Sequence, residues 1–173
     1  MNFNELSWAA VCFYYRSIGD SKYVKIMRDT PFISKLREAP SDISREEFEK
    51  KALLDYVSIE SYDLLIGHDL AGSILDKIVE LQPELSFLQN FTLLDCDLYY
   101  GDVAERINRI YAGLYSIRGL WLTGASKIAH LLNDKLLVLL NLDIANYFKL
   151  LEGETSLIQW LGITQQNVQE VVK

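Results

Sequence analysis

The chain has 173 residues, half of them hydrophobic and 24% charged, with a formal net charge of −7. That length corresponds to one domain able to bury a full core, with the composition of a globular protein. The negative balance excludes nucleic-acid binding over the whole surface, because phosphate binding needs a basic footprint.

In chain order, helical spacing dominates. "NFNELSWAAVCFYYRSI" puts Phe3, Leu6, Ala10, Phe13, Tyr14 and Ser17 near one face, with Gly19 as a stop. It has no early basic cluster and Glu5 precedes its apolar run, so the expectation is no signal peptide and a cytoplasmic location. Pro31 and Pro40 bracket "PFISKLREAP", and the Ser-Asp pair that follows reads as a loop. "SREEFEKKALLDYV" opens with Ser44 three residues before Glu47, a capping-box pattern. "HDLAGSILDKIVELQ" carries Leu70, Ile74, Ile78 and Leu81 on one stripe and ends before Pro83. "NFTLLDCDLYYGD" has some strand character and reads as an irregular connection. "DVAERINRIYAGLYSI" repeats the stripe with Val103, Ile107, Ile110, Leu114 and Ile117, its basic residues outward. "LNDKLLVLLNLDIANYFKLL" is expected as two short helices joined near Asn141, and "TSLIQWLGITQQNVQEVV" as a final helix that Gly162 could break. The fold expectation is all-α, one domain over 1–173, with about seven to nine helices. No apolar run reaches the roughly 18 residues a membrane-spanning helix needs.

Metal and redox chemistry find little support. Cys12 and Cys96 sit among apolar or aromatic neighbours with no C-x-x-C pair, and read as buried thiols. His68 and His130 lack a third ligand at metal spacing, so neither metal nor cofactor is expected. Charge is uneven, however. Lys77 is the one basic residue between Asp55 and Asp102, an acidic span that reads as a solvated face or as mimicry of DNA charge. From Ala104 to Lys149 the balance reverses.

Within that second stretch, "SIRGLWLTGASKIAHLL" has the outline of two helices joined by a tight turn at Gly119. Followed by "NDKLLVLLNLDI", it resembles the helix–hairpin–helix DNA glycosylase superfamily, the endonuclease III and 8-oxoguanine glycosylase group, over about residues 103–149. The resemblance is closest to small relatives with an "A-S-K" and "H-L-L" spacing after the turn glycine. It implies a two-lobed helical bundle, a hairpin over about 103–132 and a catalytic helix entrance near 141. In such a hairpin a Gly-hydrophobic-Gly turn bares backbone N–H groups at a helix start, where they hold a phosphate.

Position by position, the first turn glycine is Gly119, the apolar residue is Leu120 and the second glycine falls on Trp121. The small packing residue is Ala125. The sugar-attacking lysine falls on Thr123, and the catalytic aspartate on Asn141. Threonine cannot form a Schiff base, and an amide cannot offset the positive charge that develops on the sugar. The resemblance therefore implies a glycosylase-like domain without catalysis, binding nucleic acid or a protein partner. Arg118, Gly119, Leu120, Trp121, Thr123 and Lys127 are the candidate nucleic-acid contacts. Trp121 is expected to plug the cleft and cover the turn's donors; the alternative is an exposed platform for an unpaired base. Lys127, with its head expected to reach water, Asp143, two residues past Asn141, and His130, expected to be packed, are the candidates for a rearranged glycosylase or lyase site. A protein-interaction module without nucleic acid is the third possibility.

Overall fold

The computed structural model describes residues 22–57, 69–98, 101–140, 142–150 and 155–172. The first expected helix, Cys12, His68 and Asn141 lie outside the described residues. Within these residues the protein is all-α, with no strand.

Two short helices come first, α1 (Lys22–Arg28) and α2 (Thr30–Glu38). Asp29 between them caps α2, its carboxylate accepting from the Phe32 N–H at 3.3 Å. Pro31 sits in the first turn of α2, where its missing N–H costs nothing. The segment bracketed by the two prolines is thus a helix, and the Ser-Asp pair is part of a single 3₁₀ turn (Pro40–Asp42), not a loop. Ser44 then caps α3 (Arg45–Phe48), accepting from the Glu47 N–H at 3.1 Å. The return half of the expected capping box is missing, because the Glu47 carboxylate lies against Lys51 at 3.1 Å instead.

From Glu49 to Val57 the chain continues as a π-helix. Phe48, Ala52, Leu53, Tyr56 and Val57 are all buried while Leu54 is exposed. On an α-helix, Phe48 and Val57 would face opposite sides. Bonding i→i+5 widens the turn and brings the buried pairs onto one face, so core burial selects the rarer register.

α4 (Leu70–Glu80) buries Leu70, Ile74 and Ile78 as its stripe requires, and Asp69 caps it through the Gly72 N–H at 2.7 Å. Pro83 does end that pattern, but it also opens α5 (Gln82–Leu88). Residues 91–98 are turns, held from a distance by Gln165, whose Nε2 donates to the Leu93 and Cys96 carbonyls at 2.6 and 2.7 Å. Cys96 is buried there, and burial pushes its thiol pKa up, which keeps it unreactive.

α6 (Asp102–Tyr115) and α7 (Leu122–Leu132) pack on each other, and α6 also packs against α5 and α9. After α7 the expected helix does not form. Asn133 accepts the Lys135 and Leu136 N–H groups at 3.2 and 3.1 Å, a local turn that competes with helix continuation. The apolar run that follows threads through the core, with Leu136, Leu137 and Leu140 buried. A non-helical buried backbone needs partners. Side chains provide them: His130 donates to the Leu137 carbonyl (2.6 Å), Trp160 Nε1 to the Leu139 carbonyl (2.9 Å), and Ser126 accepts the Leu140 N–H (2.5 Å). α8 (Leu142–Tyr147) is the only helical piece of that stretch among the described residues. α9 (Thr155–Val172) runs unbroken through Gly162, which is buried. One contiguous core extends from Ile26 to Leu161.

Candidate functional site

The turn between α6 and α7 is built from the core outward. α6 buries Ile107, Ile110, Tyr111 and Leu114, which fixes where its last turn points. The chain then reverses: the Ile117 N–H reaches the Leu114 carbonyl at 3.2 Å, and the Leu120 N–H reaches the Ile117 carbonyl at 3.0 Å. Gly119 has φ 91°, in the left-handed region that favours glycine. Leu120 drives into the core at 2% exposure and presses on Gly124, where a Cβ would sit 2.8 Å from the Leu120 Cδ1.

Trp121 occupies the N-cap position of α7 in an extended conformation, φ −64° and ψ 173°. It therefore needs no positive φ, and its backbone is unstrained. Its side chain is 77% exposed. The expected plug is absent: Trp121 faces solvent. No side chain caps α7, so its first N–H groups lack intrahelical partners, as at any helix start. Arg118 is exposed and Thr123 half-buried.

Lys127 lies one turn deeper, and its head does not simply reach water. Its Nζ donates to the Tyr56 and Val57 carbonyls at 3.2 and 3.3 Å and stands 5.5 Å from the centre of the Tyr56 ring. A helix end leaves its last carbonyls without acceptor bonds, and here the lysine supplies them for the π-helix. Behind it the Tyr111 hydroxyl lies beside Ser126 without closing a hydrogen bond of ordinary geometry, and burial pushes its pKa well up. Tyr56, Tyr111, Ser126 and Lys127 thus form a polar seam between the π-helix, α6 and α7.

His130 is buried, and burial holds its pKa below the usual value, with the Leu137 carbonyl opposing. It is a neutral donor in the core, remote in role from proton transfer at the surface. Asn133, which sequence reasoning passed over, ends α7 and donates through Nδ2 to the Leu88 carbonyl at 2.8 Å, tying the ends of α5 and α7 together. Its signal was present: asparagine after a periodic helix marks a stop.

At that far end of α7 lies a cleft of about 210 Å³, with Arg37, Gln89, Asn133 and Asp134 on its wall. Arg37 already bonds the Leu131 carbonyl and Asp134, both at 2.8 Å, so one of the cleft's two cations is engaged internally, the exposed Lys135 being the other. Eleven helical residues, about 16 Å, separate it from Trp121.

The chain matches no known family model, no curated protein and no solved structure. What bears on function is therefore the geometry itself. It gathers Arg118, Gly119, Leu120, Trp121 and Thr123 at one turn and draws Lys127 and His130 into packing roles. Asn141 and the side chain of Asp143 lie outside the described residues, and among those described no cluster of His, Cys, Asp or Glu could hold a metal.

Proposed function

We propose that this chain is a helical, glycosylase-like domain without base-excision chemistry that binds nucleic acid through the α6–α7 turn. The observation that carries this reading is the turn itself: Gly119 left-handed, Leu120 in the core, and Trp121 exposed at an N-cap that no side chain closes. That is the arrangement a helix–hairpin–helix uses to present backbone donors to a phosphate. Local charge supports it, since no carboxylate occurs between Glu105 and Asp134. Loss of catalysis is supported by Thr123 and Asn141 in the slots of the lysine and aspartate, and by the engagement of Lys127 with two carbonyls.

The test uses purified protein with duplexes carrying uracil, 8-oxoguanine, alkylated bases or abasic sites. The expected result is no base release and no strand scission, with binding that strengthens as salt is lowered. Turnover that disappears in Asn141→Ala would overturn the inactive assignment. A protein-docking role is favoured by the acidic span from Asp55 to Asp102, and absence of binding at low salt would select it.

A further inference from the structure

We infer that the ligand of the α6–α7 turn is an unpaired nucleotide, with a base stacked on Trp121 and the adjoining phosphate met by Arg118. This rests on the nucleic-acid reading above and narrows it to single strands.

Trp121 is the most exposed large apolar side chain among the described residues, at 77%. Two of the other exposed aromatics have neighbours: Phe87 stacks on Phe91 at 5.4 Å and lies under the Arg106 guanidinium, and Tyr147 meets the Phe148 ring at 5.0 Å. Trp121 has no ring or cation partner among the described residues. Nor does its backbone force it outward, because the extended N-cap conformation is unstrained. Tyr115, the last residue of α6, is exposed at 38% on the other side of the same turn. Between them in sequence, on the turn, is Arg118, exposed and without an ion-pair partner among the described residues. In contrast, Arg37, Arg45 and Arg109 each face a carboxylate.

An aromatic face beside a lone cation suits one base and one phosphate. Every base offers a π face, but a duplex keeps it inside the stack. A duplex-binding surface also needs several phosphate contacts, and this chain has a net charge of −7. Two of the three N–H donors of the Lys127 ammonium already go to the Tyr56 and Val57 carbonyls, which ties its head to the protein. Stacking must therefore supply most of the affinity, and stacking is available only from an unpaired base.

Fluorescence anisotropy with a dye-labelled oligothymidylate of about ten nucleotides, and with the same strand annealed to its complement, tests this. The single strand is expected to bind more tightly than the duplex. Trp121→Ala should weaken single-strand binding about fivefold or more, and Trp121→Tyr should retain most of it. The slope of log K against log salt should lie near about −0.7, the value for one phosphate, and flatten in Arg118→Ala. Both side chains are exposed, so far-UV circular dichroism should be unchanged in every variant. If strand and duplex bind alike, or Trp121→Ala binds as well as the wild-type protein, the stacking inference falls and nucleic-acid binding stands. If neither form binds at low salt, both fall.

Discussion

At Gly119 the backbone holds φ 91°, where a Cβ crowds the following carbonyl. Gly119→Ala is expected to cost about 1–2 kcal/mol, seen as a lower urea midpoint at unchanged slope. His130 makes a second prediction. Burial lowers its folded-state pKa below 6.5, so the unfolded chain takes up a proton more readily than the folded one. The stability it contributes is complete above pH 6.5 and falls as pH drops from there towards the lower folded-state value. His130→Gln should flatten the loss of urea midpoint between pH 7 and pH 5; an equal loss in the variant would show that the imidazole is not responsible. At this scale the sequence was readable where a residue type has one backbone use, as with Gly119. It was unreadable where direction mattered. Nothing in "GLW" says whether the Trp121 indole turns inward or out, because that depends on which neighbour α7 packs against.

Among the elements, the π-helix is the one whose existence was legible and whose register was not. "SREEFEKKALLDYV" reads as an amphipathic helix from its caps and spacing, but the i→i+5 bonding follows from the core on which Phe48 and Val57 both land. Lys127 holds its last carbonyls, so Lys127→Met should lower stability by about 1.5–3 kcal/mol and speed amide exchange across 49–57 more than elsewhere. Uniform acceleration would argue against a local role. The segment after α7 was misread for a related reason. A run such as "LLVLL" is compatible with any buried backbone, and only the donors and acceptors of Ser126, His130 and Trp160, scattered along the chain, allow an extended one. Ser126→Ala leaves the Leu140 N–H buried without its partner and is expected to cost about 1–3 kcal/mol, measured by chemical denaturation.

Over the whole molecule, fold class was the most legible property, since the 3.6-residue stripes of α4 and α6 bury what they predict except Val103, which is half-buried. The functional proposal draws on the hairpin resemblance in the sequence and on the exposure of Trp121, which the sequence alone does not give. The contiguous core from Ile26 to Leu161 has a consequence for unfolding. Transitions followed by far-UV circular dichroism and by tryptophan emission should coincide, as for one cooperative unit, and separated midpoints would reveal subdomains. Three carbonyls in the irregular stretches of that core, those of Leu93, Cys96 and Leu139, accept their side-chain hydrogen bonds from α9, through Gln165 and Trp160. During synthesis, then, these three carbonyls leave the ribosome hydrated and stay so until α9 emerges. Translation that stalls ahead of Trp160 would present proteases with an unlatched interior, so quality control should discriminate sharply on this last helix.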